Sequence, residues 1–373
     1  MWGHPRQSTL RAEGNMTATD GKTHLKSRTP PRGQGGPTSG PPPALRSMLD
    51  WYFRQPIGFL HGGGTLPFYC DPARVGAFAV APAELAAGDE AALFRLFVQL
   101  AMYQALRDVV IMRQQREFPA AALRVVADVR QVGKAIGGHA CSALKLAEHF
   151  EETCDVYKEA KTVDCGRCPG VPCHVKDATV AFRRMGDMGK LPTSAWLRLW
   201  QHGGLNALLS EVSDLEPSPT RRAHLLVERI GQVHRVGRKL STLFVSALST
   251  PALAPGLTPW FPTVDGNDLV VVDTNVARVV DTLRGPGAAK TYGARETWVR
   301  QQAALIDLRQ YGADLPSYSP RLLQQAIYGF SSKSNRVAGG DRCAERTTPC
   351  EGCVAALCPF GQVEDFNPSA VAI

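Results

Sequence analysis

Residues 91–112 read AALFRLFVQLAMYQALRDVVIM, with apolar side chains at Leu93, Phe97 and Leu100 and again at Val109 and Val110, near the helical period. The same rhythm holds from about residue 88 onward. It predicts further helices over 120–134, 141–152, 192–201, 219–232, 238–248, 274–284, 294–311 and 320–330, joined by Gly- and Pro-bearing turns. The only strand-like run is LVVV at 269–272, and it is short. The expected fold class is therefore all-α, with no internal repeat at solenoid spacing.

The chain has 373 residues, with 42 basic against 34 acidic side chains, hence +8, and is 44% hydrophobic and 20% charged. That length suggests about two domains and can bury a core without disulfide staples. The composition excludes a disordered chain and a coiled-coil rod. No run of about 18 apolar residues exists, so no transmembrane helix and no membrane partner are expected. The first thirty residues hold no apolar signal core, which points to a cytoplasmic bacterial protein. The charge of +8 permits an anionic partner without naming one. Residues 1–45 carry Arg6, Arg11, Lys22, Lys26, Arg28 and Arg32 against Glu13 and Asp20, amid Gly, Pro, Ser and Thr. Such a segment is expected to be a disordered basic tail.

Two stretches break the helical rhythm. Residues 154–174, CDVYKEAKTVDCGRCPGVPCH, hold Cys154, Cys165, Cys168 and Cys173 at C-x10-C-x2-C-x4-C, with His174 adjacent as an alternative ligand. A second metal site of zinc or iron–sulfur type, or idle thiols, would suit this spacing, with metal favoured. Residues 250–268, TPALAPGLTPWFPTVDGND, read as a Pro-rich insertion whose Trp260 and Phe261 either plug the core or stack on a ligand. Cys70 and Cys141 are expected to be lone thiols. At the C-terminal end Cys343, Cys350, Cys353 and Cys358 stand at C-x6-C-x2-C-x4-C. Four thiolates so spaced suit zinc and an iron–sulfur cluster equally well.

Residues 219–248 read as helix, short turn, helix, the turn being Val233-His234-Arg235-Val236-Gly237. A helix N-terminus is a natural seat for phosphate, Gly237 would permit close approach, and Arg238 would add charge. Contacts of this kind hold DNA without reading its sequence. In VVVDTNVARVVDTLR, Asp273 precedes a helical pattern, so an N-cap role is expected alongside any catalytic one.

In order, VGRK, VDTNVARV and the four-cysteine run resemble the HhH-GPD superfamily of DNA glycosylases, in its iron–sulfur branch typified by endonuclease III. There the hairpin ends in Gly-Val-Gly-x-Lys, the aspartate lies in Val-Asp-Thr-His-Val-x-Arg, and the cluster reads C-x6-C-x2-C-x5-C. Lys239 matches the lysine, Asp273 the aspartate, and Cys343, Cys350, Cys353 and Cys358 the cluster ligands. AMYQALRD puts Gln104 where the family carries a glutamine that fills the gap left by an extruded base. The resemblance covers roughly residues 90–110 and 219–360. Arg235 stands in place of the first hairpin glycine, where a positive φ would be strained. Asn275 replaces the family histidine, the last cysteine spacing is shorter by one, and the Lys-to-Asp interval is longer. The 154–174 cysteines lie outside the family pattern.

The resemblance implies a helical-bundle glycosylase fold with a helix-hairpin-helix and a C-terminal [4Fe–4S] loop. Its domains would be a tail over 1–45, a segment 46–87 packing on the cluster domain, a helical domain 88–284 and a cluster domain 285–373. It also implies a monomeric, nucleoid-associated DNA repair glycosylase with AP-lyase activity on double-stranded DNA. Lys239 would attack the sugar through a Schiff base assisted by Asp273, with Gln104, Arg235, Gly237 and Arg238 on the DNA. A free lysine is almost fully protonated at neutral pH, so such a site must depress it. Position in the first helical turn, with Arg235 and Arg238 nearby, would help. The alternatives are a monofunctional glycosylase, a non-catalytic helix-hairpin-helix iron–sulfur DNA-binding protein, and a zinc-stabilised helical scaffold.

Overall fold

The computed structural model describes residues 40–53, 66–104, 106–156, 165, 168, 170–182 and 188–331, all within a unit that begins at Gly40. Every regular element among the described residues is helical, as the periodicity predicts. In chain order the principal helices are α1 (Pro43–Phe53), α2 (Glu90–Ala101), α3 (Asp108–Arg116), α4 (Ala120–Val126) and α5 (Val129–Gly137). Next come α6 (Ala147–Thr153), α7 (His174–Ala181), α8 (Leu191–Arg198), α9 (Gly204–Leu215) and α10 (Pro219–Ile230). Then follow α11 (Gly237–Ser249), α12 (Thr274–Arg284), α13 (Tyr292–Ala303) and α14 (Pro320–Ser331). No helix among the described residues is long and apolar enough to cross a membrane.

Two cores organise these helices. The first draws on residues from Tyr69 to Leu269 and is centred on α2 and α11. α11 is buried nearly all round, through Leu240, Phe244, Val245 and Leu248. Its serines do not break it because they bond back along the helix, Ser241 Oγ to Gly237 O at 2.9 Å and Ser249 Oγ to Val245 O at 2.7 Å. The second core joins α1 to α12, α13 and α14 through Leu45, Leu49, Val276, Val299 and Ile327.

The strand-like run 269–272 is the crossing between the cores. Leu269 belongs to the first, Val270 and Val272 to the second. It forms no ladder because side chains take its backbone groups. Val271 N–H donates to Gln324 Oε1 at 3.4 Å, Val272 N–H to Tyr292 OH at 3.2 Å, and that hydroxyl donates to Val270 O at 3.1 Å.

Several expectations change. The helix predicted over 91–112 is two, α2 and α3, and 120–134 is split where Asp128 caps α5, its carboxylate accepting from Arg130 N and Gln131 N at 3.0 and 3.1 Å. The helix expected over 294–311 closes at Ala303. α1 begins at Pro43, inside the expected tail, and buries Leu45 completely. Of the described residues in 46–87, those of α1 join the second core, whereas Tyr69, Val75, Phe78 and Leu85 join the first. The division between cores falls at 269/270, because α12 packs with α13 and α14. In the 250–268 insertion Trp260 is buried in the first core and Phe261 is 42% exposed.

Phe244 is 1% exposed and meets Phe97 and Trp260 edge-on at ring centroid distances of 5.2 and 5.9 Å. Phe244→Ala should lower unfolding free energy by about 3–5 kcal/mol, read as a shifted urea midpoint at unchanged slope.

Candidate active site

The helical rhythm of α2 stops at Ala101, and this break builds one wall of a pocket. The last turn tightens, Met102 N–H bonding Gln99 O at 3.3 Å and Tyr103 N–H bonding Leu100 O at 3.1 Å. Gln104 therefore lies beyond the helix rather than on the face of Leu93, Phe97 and Leu100. Its amide Nε2 donates to Ala101 O at 2.6 Å and satisfies a helix-end carbonyl. In a continuous helix the Tyr103 carbonyl would accept from residue 107; instead it accepts from Lys239 Nζ at 3.1 Å.

Lys239 and Asp273 line the same cavity, of about 160 Å³, at the seam between the two cores. The first core contributes Phe68, Tyr69 and Tyr103, the second Tyr52 and Tyr328, and Arg321 also lines it. Lys239 is the third residue of α11. Asp273 is the N-cap of α12, as expected, its Oδ1 accepting from Val276 N at 2.8 Å. Burial holds the Asp273 carboxyl above the ordinary range, with the Val276 N–H and Lys239 opposing.

A second carboxylate, absent from the sequence reading, enters from α3. Asp108 is the first residue of that helix and accepts a hydrogen bond from Tyr328 OH. Its carboxyl is pushed up to about 6, by burial first and then by the charge of Asp273, while Lys239 pulls the other way. Two carboxylates and one amine thus share a largely apolar chamber. Arg321 forms another polar wall: it is 3% exposed and its guanidinium reaches only neutral acceptors in the bonds seen. These are Ser246 Oγ at 2.9 Å and Gln324 Oε1 and Gln325 Oε1 at 2.8 Å each. Burial pushes this guanidinium down to about 10. The Tyr103 hydroxyl is buried without a hydrogen-bond partner.

The α10–α11 hairpin carries the expected strain. Arg235 has φ +66°, the one positive φ at a non-glycine among the described residues, and Gly237 has φ +56° with nothing near the place of a Cβ. No side chain caps the first turn of α11. Arg238, which the resemblance puts on DNA, is engaged by Glu296 at 3.0 and 2.8 Å, and its guanidinium lies over the Tyr292 ring at 5.7 Å. Glu296 is 4% exposed, so it needs that cation and Arg300, at 3.2 Å, to be buried as an anion.

Gln104, placed on the DNA by the resemblance, is not among the residues lining the cavity. Cys343, Cys350, Cys353 and Cys358 lie outside the described residues. Cys154, Cys165, Cys168 and Cys173 come together elsewhere, around a small cavity that His174 does not line but Cys141 does, so Cys141 is not a lone thiol. Asp108, Arg321 and Tyr328 were missed. Asp108 reads locally as an ordinary helix start, and only Arg321, a charge inside PRLLQQAIYGF, stands out against its neighbours. Comparison with protein-family models, curated proteins and solved structures finds no match.

The raised Asp108 carboxyl means that the folded state holds its proton to higher pH than the unfolded chain. Stability should therefore fall as pH rises from about 4 to about 6. Asp108→Asn should flatten that slope and add up to about 3 kcal/mol at pH 7, measured by urea unfolding across the window. Arg235→Gly should stabilise by about 0.5–1 kcal/mol at pH 7 by relieving the left-handed backbone.

Proposed function

We propose that this chain is a DNA glycosylase with AP-lyase activity, working through Lys239. The observation that carries this reading is the meeting of Lys239 and Asp273, 34 positions apart in sequence, in one aromatic-walled pocket beside the α10–α11 hairpin. An extruded nucleotide suits such a chamber: aromatic walls offer stacking, while Arg321, Gln324 and Gln325 offer polar contacts to a heterocycle's edge. Damaged pyrimidine is the base class that the resemblance implies.

In the proposed reaction, Lys239 first gives up an ammonium proton to solvent and then donates its Nζ lone pair to the sugar C1′. The glycosidic electron pair leaves with the base, which takes up a proton. Asp108 or Asp273 accepts the proton that the amine loses, and the remaining carboxylate stabilises positive charge on the sugar. Ring opening gives the Schiff base, and loss of the C2′ proton with departure of the 3′ phosphate breaks the strand. The uncapped start of α11, with Arg235 beside it, is the proposed seat for a backbone phosphate of double-stranded DNA bound by a monomer. The four C-terminal cysteines would hold a [4Fe–4S] cluster, and no step of the chemistry runs through it.

Borohydride trapping on duplex DNA with an abasic site tests the lysine without knowledge of the target base. Wild type should form a covalent adduct, and Lys239→Ala should reduce it on the order of 100-fold or more. Asp273→Asn should slow base release by about 10²–10⁴. Equal trapping by wild type and Lys239→Ala would assign the adduct to another amine. No adduct in either leaves a monofunctional glycosylase or a binding-only protein, the latter recognised by salt-dependent DNA affinity without base release.

A further inference from the structure

We infer that Cys154, Cys165, Cys168 and Cys173 bind a single zinc ion, at a site remote in sequence from the pocket residues and independent of their chemistry. Five thiols, those four and Cys141, line one small cavity between the start of α7, the end of α6 and the segment before α6. Cys165 and Cys173 each lie within electrostatic reach of the other three thiols of the set. Cys141 is hydrogen-bonded to Cys168. No carboxylate in the lining other than Asp155 competes with the sulfurs, so the donor set is that of a soft, thiophilic ion.

Backbone N–H groups are directed at two of the sulfurs. The Val156 N–H is directed at Cys154, and those of Val175 and Lys176 at Cys173. Such N–H···S bonds from residues two or three positions on are the supporting shell that a metal thiolate needs. Two lysines fasten the same loops: Lys190 Nζ donates to Cys154 O, and Lys176 Nζ to Cys168 O at 3.0 Å. His139 is a brace and not a ligand. Its Nδ1 accepts from Cys141 N–H at 2.9 Å, so its Nε2 carries the proton and donates to Pro172 O at 3.0 Å.

The cavity is about 20 Å³, room for one water-sized sphere, and a cube of four irons and four sulfides does not fit it. As the side chains stand, no group of three or more His, Cys, Asp or Glu among the described residues could hold a metal ion. Binding therefore draws the four sulfurs inward to the roughly 2.3 Å of a zinc–thiolate bond. Each coordinated thiol gives up its proton to solvent as the Zn–S bond forms, with no change of oxidation state.

Metal analysis of the full chain, purified anaerobically, is the test. Wild type should carry about one zinc per chain, and Cys165→Ser/Cys168→Ser should lose it by at least about tenfold while keeping its iron. Cys350→Ser/Cys353→Ser should keep the zinc. Should the first variant fail to fold, an organomercurial titration of wild type replaces it, with about four thiols blocked per zinc released. Cys141→Ser should retain the metal and, after exchange with cobalt, the absorption of a tetrahedral thiolate site. Loss of iron instead of zinc at Cys165/Cys168, loss of zinc on Cys141→Ser, or a Cys141–Cys168 disulfide in metal-free wild type would each overturn the assignment.

Discussion

The bond from Lys239 Nζ to the Tyr103 carbonyl is the contact on which the pocket depends. It exists because α2 stops at Ala101 and leaves that carbonyl without its helical partner. Ending a helix early forfeits neutral backbone bonds worth about 1 kcal/mol each, whereas a bond from a charged donor contributes about 1.5–3 kcal/mol. Gln104 offsets part of the loss by covering Ala101 O. The same break starts a new helix at Asp108 and turns that carboxylate toward the amine. One interruption thus supplies the acceptor that orients the lysine and a carboxylate to share its environment.

Placing the chamber between two cores lets each core pack without a void. Helices α2 and α11 close on one side and α1, α12 and α14 on the other, and the seam keeps the space. A polar group buried in such a seam is costly unless partnered. Arg321 is partnered by Ser246 and two glutamines, and Gln324 in turn receives the Val271 N–H of the crossing segment. The crossing and the buried guanidinium are therefore held by one network, so a group that engaged Arg321 would also be felt at the segment leading to Asp273.

What was legible from residues alone is the helical class; Lys239 and Asp273 came forward as a pair only through the resemblance. Period 3.6 reports which faces are buried, and α10, α11 and α12 fall close to their expected bounds. It says nothing of where a helix is interrupted when the apolar rhythm continues across the break, and so 91–112 reads as one helix. LVVV has strand composition, yet Tyr292 and Gln324, both distant in sequence, decide its pairing. Asp108 carries no local mark because an aspartate opening a helix is commonplace. Its peculiarity comes from burial beside Asp273, a fact of tertiary structure. Cys141 reads as solitary since 13 positions separate it from Cys154, and only folding brings it to the other thiols.

Arg235 and Arg238 show why neighbouring cations in one turn need separate arguments. Arg238 faces α13, where with Arg300 it compensates the buried Glu296, so its charge helps to fix the start of α11 and with it the position of Lys239. Arg235 is exposed and holds a backbone conformation that costs an L-residue about 1–2 kcal/mol, where glycine would be at ease. Strain of this kind persists where the surrounding fold over-determines it, and it gathers at functional positions. Under the proposed reading, a guanidinium at the edge of an uncapped helix start is worth more to a phosphate than a relaxed turn is to stability. The two arginines then divide the work, one holding the lysine's helix in place and the other facing the strand.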